Sequence, residues 1–117
     1  MARILVIDDS AVQRILARGV LEGAGHEVVD AASGEAGLST IRSEPIDCVL
    51  LDWLMPEIAG CDVLRVMQQE GISLPVVVVT SDPSEETLAE CAKLGAAKVI
   101  DKPRDATELA AAVASVL

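Results

Sequence analysis

The chain contains no Phe, no Tyr and a single Trp, Trp53, so it offers almost no rings on which nucleobases could stack. It is equally poor in positive charge: 9 Lys+Arg stand against 19 Asp+Glu, a formal net charge of -10. Such a chain lacks the cationic stripe that neutralises phosphates, which argues against direct nucleic-acid binding. Long apolar runs are missing too. The longest, Leu109 to Ala114, falls far short of the ~20 residues a membrane span needs, and Asp8 interrupts the N-terminal segment too early for a signal peptide. A soluble, cytoplasmic protein without membrane attachment is expected. Cys48, Cys61 and Cys91 are odd in number, widely spaced and set in apolar stretches, which reads as buried thiols and not as a metal or disulfide framework.

What is present suffices for one compact domain. The 117 residues are 51% hydrophobic, carried by Ala, Val, Leu and Ile, and a chain of this length can bury roughly two-thirds of its unfolded surface. Disorder is excluded by that composition. Apolar, β-branched runs recur at Ile4 to Ile7, Val28 with Val29, Cys48 to Leu51, Val76 to Val79, and Val99 with Ile100. They are continuous and not alternating, the pattern of strands covered on both faces by helices. Between them lie stretches with helical spacing: Val12, Ile15, Leu16 and Val20; Val63, Leu64 and Met67; Leu109, Ala112, Val113 and Val116. Ser10 with Gln13, Asp82 with Pro83 and Glu85, and Asp105 with Glu108 have capping-box spacing, and Gly25, Gly71 and Gly95 stand where helices should stop.

The expected fold is therefore α/β, a (βα)5 doubly wound parallel five-stranded sheet with helices on both faces. Right-handed crossovers make such a sheet start in its middle and wind outward, leaving a crevice at the carboxyl ends of the strands. Asp8 and Asp9 follow strand 1, Asp52 ends strand 3, Thr80 ends strand 4 and Lys102 with Pro103 follows strand 5. Singly, each has an ordinary role: first-turn acids complementing a helix dipole, a helix cap, a surface cation. Jointly they place three carboxylates, a hydroxyl and a lysine at one edge. Carboxylates so placed repel one another unless a cation sits between them, and hard oxygen ligands call for Mg²⁺. A lysine and a hydroxyl at the same point suit a transferring phosphoryl group, with the remaining carboxylate as nucleophile.

The motifs Ile-Leu-Val-Ile-Asp-Asp-Ser at 4–10, Leu-Leu-Asp-Trp-Leu-Met-Pro-Glu-Ile-Ala-Gly at 50–60, Val-Val-Val-Thr-Ser at 77–81 and Gly-Ala-Ala-Lys-Val-Ile-Asp-Lys-Pro at 95–103 resemble the receiver domains of two-component response regulators. The resemblance runs from Arg3 to Ala114 and implies a flavodoxin-like, chemotaxis-regulator-like domain over 1–117, with strand order 2-1-3-4-5. It further implies that Asp52 takes a phosphoryl group from the phosphohistidine of a sensor histidine kinase or phosphotransfer protein. Mg²⁺ would be held by Asp9, Asp52 and the backbone carbonyl of Leu54, with Asp8 acting partly through water. Thr80 would hydrogen-bond the phosphoryl group and Lys102 would pair with it, positioned by a cis Lys102-Pro103 bond. On this reading the chain is a signalling domain that catalyses its own aspartyl phosphorylation and dephosphorylation. It would be a stand-alone or excised receiver domain, a monomer or a weak phosphorylation-dependent dimer, and would address an unknown downstream protein.

Two departures bear on output. Val99 stands where the family usually carries Tyr or Phe, and Arg104 where Phe often follows the proline. Met55, Pro56 and Gly60 read as shaping the loop into the third helix, Trp53 as a partly exposed packing residue, and His26 as a solvent-facing histidine in a turn. Rival readings are a non-phosphorylated pseudo-receiver, which would normally have lost one of the five site residues, and a haloacid-dehalogenase-type phosphotransferase, which needs an acid where Leu54 stands. A flavodoxin-like electron carrier would need a hydroxyl-rich loop after strand 1 and rings against the flavin.

Overall fold

The computed structural model describes residues 2–53, 55, 60–81, 84–101 and 106–117. Strands and helices alternate: β1 (Arg3–Ile7), α1 (Ala11–Gly23), β2 (Glu27–Ala31), α2 (Gly34–Ser43), β3 (Cys48–Asp52), α3 (Gly60–Gln69), β4 (Val76–Thr80), α4 (Glu85–Lys93), β5 (Lys98–Asp101) and α5 (Ala106–Val116). All strands are parallel and lie in the order β2-β1-β3-β4-β5, as expected.

The two-residue period of a strand sorts each run into two cores. Leu5, Ile7, Val49, Leu51, Val76 and Val78 face one way and pack with Leu38 of α2, Val63, Leu64 and Met67 of α3 and Cys91 of α4. Ile4, Val6, Cys48, Leu50 and Val77 face the other way, against Ala17 and Leu21 of α1 and Leu109, Ala112 and Val113 of α5. Each such aliphatic side chain, once fully buried, contributes roughly 1.5–3 kcal/mol, which explains why the strands read as unbroken apolar runs.

Helix boundaries follow local chemistry. Ser10 caps α1 by accepting from the Gln13 N–H, and Ser33 caps α2 by accepting from Ala36 N–H at 3.1 Å. Helix α1 ends where Gly25 turns to φ 92°, so that His26 N–H reaches Leu21 O and Gly25 N–H reaches Glu22 O; Gly71 and Gly95 end α3 and α4 in the same manner. Glu44 stops α2 because Pro45 forces it into extended backbone at φ -133°.

Five expectations need correction. The cap of α4 is Ser84, whose hydroxyl accepts from Thr87 N–H at 3.2 Å, and not Asp82, because the helix begins at Glu85. Trp53 is buried among the α2–α3 core residues instead of partly exposed. His26 is half-buried, its Nδ1 accepting from Ala2 N–H at 3.3 Å. Most consequentially, Val12, Ile15 and Leu16 lie on the solvent side of α1, at 64%, 69% and 58% exposure, while Ala17 and Leu21 face the sheet. Cys48 and Cys91 are buried as expected and Cys61 is only half-buried. Asp105, Arg104 and the Lys102-Pro103 bond lie outside the described residues. None of the described helices is long and apolar enough to cross a membrane.

Candidate functional site

Register alone brings the acids together. Ile7 of β1 pairs with Leu51 of β3, so the next residue on each strand, Asp8 and Asp52, leaves the sheet at the same level. Asp9 follows in the turn to α1. One carboxylate oxygen from each of Asp8, Asp9 and Asp52 lies within 4.8 Å of the other two. Exposure rises across the cluster: Asp52 is buried, Asp8 half-buried and Asp9 exposed. On the other side of β3, Asp52 pairs with Val79, which places Thr80 one residue further along the same edge; Thr80 is fully buried and registers with Asp101 of β5.

The turn carrying Asp8 and Asp9 is held at several points. Asp8 N–H donates to Ala31 O at 3.1 Å, extending the β1–β2 ladder by one residue. Its Oδ1 accepts from Ser10 N–H at 2.9 Å, so the same short segment bends the turn and begins α1. The Asp8 carbonyl accepts from Arg14 Nη1 at 2.7 Å. Beyond Asp52, Trp53 N–H donates to Val79 O at 3.0 Å and Trp53 O accepts from Gly60 N–H at 3.1 Å, which draws the start of α3 back onto the strand end.

Gly60 is required by that approach. A Cβ at this position would lie 2.9 Å from Trp53 Cα and 3.0 Å from Asp52 O, both backbone atoms. Only a residue without a side chain lets α3 start this near to Asp52.

The donor set suits a small hard dication: three carboxylate oxygens, close enough to share one ion, on an edge open enough to leave water in the remaining positions. Transition-metal donors are not part of it. The thiols lie elsewhere and stay protonated, since burial pushes Cys48 and Cys91 up to about 11, and burial with neighbouring acids raises Cys61 as well.

Of the site residues expected from sequence, the structure brings together Asp8, Asp9 and Asp52 and sets Thr80 on the adjacent strand end. Leu54 and Lys102 lie outside the described residues. Sequence reasoning missed Arg14 and Asp30. Arg14 Nε lies 3.7 Å from Asp30 Oδ2, and no local pattern ties a helix arginine to a carbonyl six residues earlier.

Comparison with known proteins places the chain in a family. Residues 4–114 match the model of a family described as the response regulator receiver domain. Protein PilH of Pseudomonas aeruginosa is 34% identical over 119 residues, covering 100% of this chain and 98% of PilH. Among solved structures, the Vibrio cholerae chemotaxis protein CheY4 superposes with a TM-score of 0.93 at 29% identity, covering 100% of this chain and 99% of that one. The Thermotoga maritima response regulator TrrA, crystallised in complex with Mg²⁺ and BeF, gives 0.90 at 28% identity over 100% of both chains. Other relatives are longer: the chain spans 49% of a probable transcriptional regulatory protein of Picosynechococcus, at 33% identity over 123 residues.

Proposed function

Because the chain belongs to the response regulator receiver domain family, a family of signalling domains, we propose that it is a phosphorylation switch whose phosphoacceptor is Asp52. The observation that carries this reading is the convergence of Asp8, Asp9 and Asp52 at one strand edge beside the buried hydroxyl of Thr80. Asp8 and Asp9 hold the cation together with Asp52 and the carbonyl of Leu54. When bound, Mg²⁺ supplies positive charge to the phosphoryl oxygens.

Asp52 is the nucleophile. One of its carboxylate oxygens attacks phosphorus in line while the bond from phosphorus to the donor's histidine nitrogen breaks. That nitrogen keeps the electron pair and, because the other nitrogen of the donor's ring carries a proton, the imidazole leaves neutral. Thr80 hydrogen-bonds a phosphoryl oxygen and Lys102 pairs with another, so charge is met where it develops and no reorganisation is needed during transfer. Hydrolysis by water at the same phosphorus returns the carboxylate. The domain thus catalyses its own modification and reversal, in the cytoplasm, and signals through a changed surface.

The donor is a histidine kinase or phosphotransfer protein. The exposed apolar face of α1, Val12, Ile15 and Leu16, begins directly after the acidic turn and is where a protein donor would rest while reaching Asp52. A pseudo-receiver that signals without phosphate is the competing reading.

Incubation with acetyl phosphate and Mg²⁺, borohydride trapping and mass spectrometry separate the two. The expected result is a single modified residue, Asp52, absent when EDTA is added. Label retained in Asp52→Asn, or no label in the wild type at saturating acetyl phosphate and Mg²⁺, refutes the reading.

A further inference from the structure

Arg14 has a position that neither helix formation nor core packing demands. Its side chain is 18% exposed, on the face of α1 turned toward β2. Nη1 donates to the Asp8 carbonyl at 2.7 Å, and Nε faces the Asp30 carboxylate at 3.7 Å. Asp30 lies in β2 opposite Val6, on the sheet face that α1 covers, and it also meets Arg18 Nη2 at 3.6 Å. Arg18 differs in its other partners: the carbonyl of Val28 at 3.1 Å and Glu22 at 3.5 Å. Two arginines therefore share one acid, and Arg14 extends that link to the turn holding Asp8 and Asp9.

The Asp8 carbonyl belongs to the peptide plane between Asp8 and Asp9. With Asp8 N–H held to Ala31 O on one side and α1 capped by Ser10 on the other, this plane turns only by changing ψ of Asp8 and φ of Asp9 together, so holding its carbonyl restrains both and with them the direction in which the Asp9 carboxylate projects. Repulsion among three carboxylates within 4.8 Å works to open this turn. A guanidinium resists that opening well, because its planar fork makes a charge-assisted bond to the carbonyl while another edge stays on Asp30; an ammonium cannot hold both in fixed geometry.

We propose that Arg14, anchored by Asp30, is a positioning residue for the divalent-cation site, holding the Asp8–Asp9 turn in the geometry that binds the ion. This rests on reading the acidic cluster as a cation site. Charge alone predicts the opposite effect, since a nearby guanidinium opposes a dication and its removal should tighten binding.

The test titrates Mg²⁺ against the full chain, following Trp53 emission and the melting temperature, for wild type, Arg14→Gln, Arg14→Lys and Arg18→Gln. Melting in EDTA reports the structural cost of each variant separately. Arg14→Gln should raise the Mg²⁺ dissociation constant about tenfold or more, as removing an outer-shell partner of a metal ligand commonly does, and Arg14→Lys should recover only part of the loss. Arg18→Gln, which also loses its pairing with Asp30, should change affinity by less than about twofold. Unchanged or tighter binding in Arg14→Gln, or an equal loss in Arg18→Gln, overturns the proposal. A wild type whose Trp53 emission and melting both ignore Mg²⁺ overturns the cation-site reading itself, and this inference with it.

Discussion

Two glycines in helices should respond in opposite directions to the same added methyl group. Gly60 opens α3 and Gly19 lies inside α1. Helix propensity favours alanine over glycine by about 0.5–1 kcal/mol at an unconstrained helix position, and nothing lies within 4 Å of a Cβ built on Gly19. Gly19→Ala should therefore stabilise the protein by about that amount, raising the melting temperature by about 2–4 °C. At Gly60 the new Cβ meets Trp53 Cα at 2.9 Å, Asp52 O at 3.0 Å and Trp53 Cε3 at 2.8 Å. Ordinary van der Waals separation requires a retreat of roughly half an ångström, and two of the three obstacles are backbone of β3 and its exit, so α3 must move instead. Overpacking of this kind costs about 1–3 kcal/mol, a melting decrease of about 4–12 °C for a domain of this length. The displaced contact is the Gly60 N–H bond to Trp53 O, next to Asp52, so Mg²⁺ affinity should fall together with stability. Urea unfolding followed by Trp53 emission gives both stabilities on one scale. If Gly60→Ala proves as stable as Gly19→Ala, α3 does not press on the end of β3 and the steric account of the site is wrong.

Asp9→Asn should raise the melting temperature in EDTA and abolish the Mg²⁺-dependent increase expected of the wild type, because the exposed Asp9 is relieved of repulsion by its two neighbours, about 1 kcal/mol for each where the surroundings are water-like; an equal Mg²⁺ shift in both proteins would refute it. Cys48 and Cys91 titrate near 11 when folded, above the ordinary thiol, so the folded state binds their protons more tightly; their contribution to stability is intact below about pH 9 and is lost as pH rises toward about 11, a decline that urea midpoints should show and that Cys48→Ala should reduce. Val99 is half-buried against the α2–α3 core and is too small to alternate between two pockets as a ring would. Beryllofluoride with Mg²⁺ should accordingly shift the amides of Thr80, Ser81 and Ser84 more than those of 98–101, and equal shifts would show that β5 moves without an aromatic side chain.

The fold was largely legible because parallel strands covered on both faces leave continuous apolar runs, and nothing else in a chain of this length produces β-branched clusters spaced between helical stretches. The carboxyl-edge acids were legible for the same reason. Strand ends could be read from where each run stops, and parallel register then fixes which stopping points are neighbours, so Asp8 and Asp52 meet without any long-range information beyond strand order. The start of α4 was less legible because two residues, Asp82 and Ser84, each offer a capping oxygen two positions apart. Thr87, whose N–H and hydroxyl both meet Ser84 Oγ, favours the later one.

The face of α1 was misread for a reason that also explains Arg14. Hydropathy selects Val12, Ile15 and Leu16, the larger apolar residues, as the buried side of that helix. The sheet face it must cover, however, ends at an edge strand bearing Asp30, so the covering side needs cations near that edge and small residues over the strands. Arg14, Ala17, Arg18 and Leu21 satisfy this, since 14 lies three and four residues before 17 and 18, and these lie four and three before 21, which brings them to one side of the helix. The charged ends of both arginines reach Asp30. Val12, Ile15 and Leu16 are thereby left on the outside, beside the acidic turn, and their exposure is a consequence of how α1 is anchored. An acid in β2 facing α1 is thus met by Arg14 and Arg18 on the covering side of the helix, and Val12, Ile15 and Leu16 are left exposed on the other.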